Sequence, residues 1–463
     1  MRGATQVPPV GRRRMADSNR YKAYSLANFR GIPQMAGVPE AIKFDIEVVG
    51  QVLPFKTNNF VVEHLIDWAD VPDDPLFVLN FPQRGMLPPH HYDEIAGLIK
   101  GGASPATVRE AADRIRLQLN PPPAGQISHN IPTLEGEALD GMQHKYRETV
   151  LFFPSQGQTC HAYCSFCFRW PQFVGMSELK FASREVDRLV AYLQTHPQVT
   201  DVLFTGGDPL IMSARHLADY IEPLLDADLP SLRHIRIGTK ALSYWPYKFL
   251  SDDDTDDLLA LFRKVGERGK HLALMAHFNH PSELEPAPVR DAIDRVRQTG
   301  AVIRTQSPLL RHINDDPALW QEMWGRQVLL GCVPYYMFVA RDTGAQHYFA
   351  VPLVRAWEIF REAYQRVSGL CRTVRGPSMS ANPGKVQVLG VSEVRGEKVI
   401  EMRFIQGRNP DWVHRPFFAR YDEAATWLNE LKPAFGEARF FYQDELEQFY
   451  RENIEIRHAE DYE

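Results

Sequence analysis

From Thr149 to Val339 the chain keeps a rhythm that few architectures accommodate: short apolar runs alternate with stretches of helical periodicity. The predicted strands are Val150–Phe153, Asp201–Thr205, His234–Gly238, Leu272–Phe278, Ala301–Gln306 and Val333–Val339. Helices are predicted between them, near Arg184–Gln194, Ala214–Leu225, Asp254–Val265, Val289–Gln298 and Pro317–Val328. Strands that alternate with helices of about ten to fifteen residues indicate βαβ units on a parallel sheet. Six units make an open or partial barrel rather than the closed eight-fold one, with functional groups gathered at the C-terminal ends of the strands. The expected class is therefore α/β, a partial (β/α)6 barrel over residues 146–370.

The flanks lack this rhythm. Residues 21–145 read as a mostly helical N-terminal extension. Its clearest helix is Ser104–Leu119, with Ser104 as cap, Pro105 at the first position and Val108, Ala111, Ala112, Ile115 and Leu119 on one face. After a helix over Val351–Val367, residues 371–463 are expected to form a small α+β region. It holds a Gly-, Pro- and Ser-rich loop from Gly376 to Gly384, strands at Val386–Leu389 and Lys398–Phe404, a helix at Asp422–Leu431 and a charged helix beyond Asp444. Residues 1–20, with Arg12, Arg13 and Arg14, read as a disordered basic tail without the apolar segment of a secretory signal, and Met15 is an alternative start.

Composition excludes several classes. The 17 Tyr, 26 Phe and 8 Trp exclude a disordered chain. No apolar run reaches the roughly 18 residues of a membrane span. A net charge of −6 gives no electrostatic footprint for nucleic acid or anionic membrane. Cytoplasmic residence is expected.

Five cysteines do not make a disulfide framework. Three of them, Cys160, Cys164 and Cys167, fall within eight positions as Cys-x3-Cys-x2-Cys, directly after the first predicted strand. Thiolates bind iron–sulfur clusters, and three of them leave the fourth iron of a 4Fe-4S cluster open to a small molecule. Structural zinc wants four protein ligands. His161 could be the fourth only by folding back on its own neighbour, and Cys332 and Cys371 lie far off. A second motif, Gly206-Gly207-Asp208, ends the second predicted strand, where two glycines let the backbone approach a ligand closely.

Cys-x3-Cys-x2-Cys with Phe166 before the last cysteine, followed by Gly206-Gly207-Asp208, resembles the signature of the radical S-adenosylmethionine (SAM) superfamily. The resemblance implies that SAM chelates the open iron and is cleaved by one electron to a 5′-deoxyadenosyl radical. It further implies that Phe166 packs near the adenine and that Gly206, Gly207 and Asp208 bind the amino group of SAM. The finer resemblance, from about Asp74 to Leu389, is to the lysine 2,3-aminomutase family. It rests on Phe81–Leu87, Phe204–Leu210, Ile235–Thr239, His277–Pro281, Gln306–Asn314 and Pro334-Tyr335-Tyr336.

That family also uses pyridoxal 5′-phosphate (PLP). The resemblance assigns the Schiff base to Lys385 in Asn382-Pro383-Gly384-Lys385-Val386, the PLP phosphate to Lys145 or Arg147, and the substrate carboxylate to Arg169. An electron donor such as flavodoxin or ferredoxin, a small-molecule amino acid substrate and a homo-oligomer are implied as well. The expected reaction is the isomerisation of an α-amino acid to its β-isomer by an aminomutase.

The sequence departs from the family in three places. The loop before Lys385 reads Pro377-Ser378-Met379-Ser380-Ala381 instead of a glycine run, and no cysteine follows Cys371 where the family has zinc ligands. The two aspartates that hold the ε-ammonium of lysine correspond to Arg341, with Asp342 next to it, and to Arg375 or Ser378. Arginine repels an ammonium, so an acidic substrate such as glutamate or aspartate is expected, and a one-residue slip to Asp342 restores lysine. Two alternatives are a radical SAM dehydrogenase, epimerase or peptide-modifying enzyme without PLP, and a non-enzymatic module stabilised by a metal.

Overall fold

The structure is a computed structural model describing residues 20–120, 130–175 and 181–460. The basic tail and the start position expected within residues 1–19 lie outside the described residues.

An eleven-stranded sheet organises the chain, and its strands lie in sequence order. They are β1 (Met142–Tyr146), β2 (Thr149–Phe152), β3 (Asp201–Phe204), β4 (His234–Thr239), β5 (His271–His277), β6 (Val302–Leu309), β7 (Val333–Val339), β8 (Arg375–Ser380), β9 (Gly384–Val394), β10 (Glu397–Gly407) and β11 (Pro416–Arg420). From β2 to β8 every neighbouring pair is parallel. A helix follows each of β2 to β7. These are α1 (Val186–Thr195), α2 (Ala214–Asp226), α3 (Thr255–Glu267), α4 (Ala287–Arg297), α5 (Pro317–Leu329) and α6 (Leu353–Gln365). The parallel strands read as apolar runs because helices cover them: Ile235, Ile237, Leu274 and Ile303 are fully buried.

The sheet curls. Lys145, on β1, donates through Nζ to the carbonyl of Ala381, just past the end of β8, so its first strand meets its eighth. One large core runs from Tyr24 to Val374, and a second, around Phe404, Trp412 and Trp427, packs β8 to β11 against α6.

Three expectations are corrected. The Gly-, Pro- and Ser-rich run begins as strand β8, with only residues 381–383 turning into β9. Pro377 is tolerated there because the β7–β8 register slips between Tyr336 and Phe338. Asp422–Leu431 is not a helix: it is mostly irregular chain with one short turn at Leu428–Glu430, and Trp427, Leu428 and Leu431 bury without helical periodicity. The boundary expected between 145 and 146 cuts β1, which belongs to the main sheet. In the N-terminal extension the expected helix forms as Pro105–Gln118, and the Ser104 hydroxyl accepts the Thr107 N–H at 3.2 Å.

Candidate active site

One cavity of about 310 Å³ opens at the C-terminal ends of the parallel strands. Residues from β2 to β9 line it, from Leu151 to Lys385. Cys160, Cys164 and Cys167 line it together with Phe166, Gly206, Gly207 and Asp208, and so do Arg169, Arg341 and Lys385.

The cysteine end is built by close backbone packing. Gly206 has φ +135°, and a Cβ there would lie 2.3 Å from the Gln158 side chain. A Cβ on Gly207 would lie 2.4 Å from the Thr159 carbonyl oxygen. The two glycines therefore let the turn after β3 press against the start of the cysteine loop, where Asp208 N–H donates to Thr159 O at 2.7 Å. The Asp208 carboxylate accepts from the Thr239 hydroxyl (2.8 Å), Lys240 N–H (2.8 Å) and Leu210 N–H (3.0 Å). It pins the end of β3 to the end of β4.

Burial pushes all three thiols up; Asp208 and the other two thiols add to the rise at Cys160, and Cys164 reaches about 12. Nearby cations oppose the rise, Lys56 at Cys160, Lys240 at Cys164 and Arg169 at Cys167, and a bound metal centre would lower all three further. All five cysteines are free thiols. Among the described residues no three His, Cys, Asp or Glu side chains converge as a single ion would require. A cubane carries its irons on separate corners, so its thiolates need not meet at a point. The donor set fits a cluster better than a four-ligand zinc.

Lys385 begins β9 directly after the turn from β8, which brings it back to the C-terminal edge of the parallel strands. Its Nζ donates to Gln406 Oε1 at 3.1 Å and lies 4.3 Å from the centre of the Tyr336 ring. Burial lowers its pKa to about 8, which makes it a better nucleophile than an ordinary lysine. Lys145 is held lower than usual by burial and by Arg408, Arg341 and Lys385. A buried amine and a cationic group without a facing carboxylate fit an aldehyde phosphate such as PLP. Neither Lys145 nor Arg147 lines the cavity itself; Lys145 reaches the Ala381 carbonyl beside it, whereas Arg147 is 62% exposed and pairs weakly with Glu148.

Arg169 and Arg341 share the Phe168 ring, each 5.1 Å from its centre. Burial lowers both guanidinium pKa values, Arg169 to about 10. Among the described residues Arg341 Nε has no hydrogen-bond partner, and its ion-pair contact is the Asp342 carboxylate at 3.9 Å. Asp342 and Arg375 do not line the cavity; Arg375 is exposed and donates to the Tyr336 hydroxyl. Tyr335 and Tyr336, adjacent in sequence, both face it because the β6–β7 register slips between Thr305 and Gln306, opposite Pro334 and Tyr336.

The sequence reading missed the ionic framework of the walls. Arg236 pairs through two contacts with Asp201, and Lys240 pairs with Glu283, whose side chain is fully buried. Lys240 directly follows β4, a position from which it could have been singled out. His277 stays neutral, pushed down to about 3 by burial, and bonds to Gln306 at 2.7 Å.

No family model matches the chain. A putative L-lysine 2,3-aminomutase of Aquifex aeolicus is 28% identical over 400 residues, covering 86% of this chain and 93% of that protein. The L-lysine 2,3-aminomutase of Clostridium subterminale is 28% identical over 264 residues, 57% of this chain and 60% of its own length. That of Escherichia coli is 27% identical over 247 residues, 53% and 68%. Among solved structures, a radical SAM methyltransferase from Sphaerobacter thermophilus aligns with 62% of this chain and 93% of its own at 15% identity, with a TM-score of 0.38. At that score the likeness carries no argument. No helix among the described residues is long and apolar enough to cross a membrane.

Proposed function

We propose that this chain, a member of the lysine 2,3-aminomutase family of radical SAM enzymes, is a PLP-dependent amino acid 2,3-aminomutase, an isomerase that moves an α-amino group to the neighbouring β-carbon. The observation that carries the reading is the cavity itself, which three cysteines and a lysine with a lowered pKa line together. Cys160, Cys164 and Cys167 would hold a 4Fe-4S cluster, Lys385 would hold PLP, and Lys145 rather than Arg147 would face its phosphate. Together with SAM these groups supply a one-electron route to a carbon radical and a conjugated ring over which spin can spread.

The protein contributes position and exclusion. Arg169 suits a substrate carboxylate through its planar fork. Tyr336 and Phe338 wall the space beside the Lys385 amine, 4.3 and 5.6 Å from Nζ, and keep water from it. Arg341, whose Nε makes no hydrogen bond among the described residues and only a 3.9 Å contact with Asp342, supports an acidic substrate, because an ammonium placed there would face a cation. Arg375 stands off the cavity, so the acidic reading rests on Arg341 alone.

The test uses anaerobically reconstituted protein with SAM, a reductant, PLP and single amino acids, with β-amino acids read by mass spectrometry. A β-amino acid from glutamate or aspartate, lost in Lys385→Ala while SAM cleavage survives, is the expected result. 5′-Deoxyadenosine with no β-amino acid from any substrate would overturn the aminomutase and favour radical chemistry without PLP.

A further inference from the structure

The N-terminal extension carries no motif, yet it holds the cysteine loop. A ribbon pairs Ala23–Ser25 with Lys56–Asn58, and a helix at Pro75–Asn80 stands near it. From these, Tyr21 donates to His161 O at 2.7 Å and Asn58 to the same carbonyl at 3.3 Å. Tyr163 N–H donates to Lys56 O at 2.7 Å. Ser165 donates through N–H to Leu79 O at 2.9 Å and through its hydroxyl to Val78 O at 2.8 Å. The loop between Cys160 and Cys167 thus takes much of its shape from residues about a hundred positions earlier.

Lys56 adds a charge to that scaffold. Its ammonium donates to the carbonyl of Cys160 at 2.7 Å and reaches the Thr159 hydroxyl at 3.5 Å. It stands 5.7 and 5.9 Å from the rings of Tyr163 and Tyr21. Among the described residues no carboxylate pairs with it. A half-buried cation that pairs with no carboxylate among the described residues, set on the backbone of the first cysteine, is placed to face an anionic neighbour.

We propose that Lys56 is a positioning residue of the iron–sulfur centre: it fixes the Cys160 end of the loop and its charge offsets the negative charge of the thiolate-bound cluster. The inference rests on the cluster reading above. A cluster held by three thiolates is anionic, and one-electron reduction adds another negative charge. A nearby cation favours the reduced state, and reduction potentials of such clusters follow net charge and hydrogen bonding at the site. Lys56 therefore makes the centre easier to reduce, the step on which SAM cleavage depends.

The test is an anaerobic potentiometric titration of the full-length reconstituted protein, followed by electron paramagnetic resonance, for wild type, Lys56→Met, Lys56→Gln and Lys56→Arg. Iron and sulfide are counted in each. The expected result is a shift to more negative potential in Lys56→Met and Lys56→Gln at wild-type iron content, largely reversed in Lys56→Arg. Glutamine keeps a donor for the Cys160 carbonyl and removes only the charge, so it separates the two roles. Equal potentials in all four proteins would overturn the proposal. If Lys56→Met and Lys56→Gln take up no iron and Lys56→Arg does, the charge is required for assembly and the proposal stands; loss of iron in all three would make shape, not charge, the cause and overturn it. Wild-type protein without iron and sulfide would instead sink the cluster reading itself.

Discussion

The protonation of Lys385 can be read without any cofactor, through stability. The folded protein holds its ammonium at a pKa of about 8, against 10.5 for a free lysine, chiefly through burial. At neutral pH that costs the folded state about 3 kcal/mol. Below pH 8 both folded and unfolded chains carry the proton, so the cost is present in full. Between about 8 and 10.5 the unfolded chain keeps the proton while the folded one has released it, so stability rises with pH across that window. Lys385→Met has no ammonium to desolvate but loses the bond to Gln406 (3.1 Å), worth about 1 kcal/mol. The variant is therefore expected to be about 2 kcal/mol more stable than wild type at pH 7, and the gap to close and reverse by pH 10.5. Equilibrium urea unfolding of the cofactor-free proteins from pH 7 to 10.5 measures it, because effects of other titrating groups cancel in the difference. A gap that stays constant with pH would refute the argument. The same value leaves about a tenth of the amine neutral at pH 7, against about one in 3,000 for an ordinary lysine.

Other perturbations separate the parts of the site. Lys240→Met strands the buried Glu283 carboxylate and is expected to cost about 3–5 kcal/mol; Glu283→Gln added to it should recover most of that in urea unfolding, because the amide oxygen can still accept the Asn279 N–H and the amide NH2 can donate to the Ser243 hydroxyl. Gly207→Ala drives a methyl group into the Thr159 backbone, and is expected to cost about 1–3 kcal/mol and to abolish SAM cleavage, scored as 5′-deoxyadenosine. Lys145→Met should weaken PLP binding at least tenfold in a fluorescence titration while Arg147→Ala leaves it unchanged. Arg341→Met should lower turnover of an acidic amino acid far more than that of a neutral one of similar length, compared as kcat/KM.

The six βα units were legible because parallel strands buried on both sides leave unbroken apolar runs. Cys160, Cys164, Cys167, Gly206 and Gly207 were legible because spacing and backbone freedom are local properties. The strand β8 was not: Gly376 and Pro377 sit where the register slips, so residues that usually end strands mark an irregularity within one. Trp427, Leu428 and Leu431 look like a helical face in sequence, but they bury against the second core from irregular chain. Lys56 and Asn58 gave no signal, since their partners are backbone atoms of a loop a hundred residues away. Lys145 and Arg147 could not be told apart in sequence, since only the end of β1 between them leaves Arg147 exposed in the turn while Lys145 reaches Ala381.

The arrangement of the sheet in sequence order also sets the order in which a growing chain can finish the cavity. Much of what shapes the cysteine end, from Tyr21 and Lys56 to Asp208, has been synthesised before β6 begins, although Phe349, which packs on Phe166, comes later. The amine end waits for β7 to β10, and Lys145 stays without its Ala381 partner until then. At ordinary rates of synthesis roughly 10–40 s separate Cys167 from Lys385. On the proposed reading, a ribosome-bound chain thus presents much of the thiol loop before the residues around Lys385 exist, an interval in which a metal centre could be delivered to it.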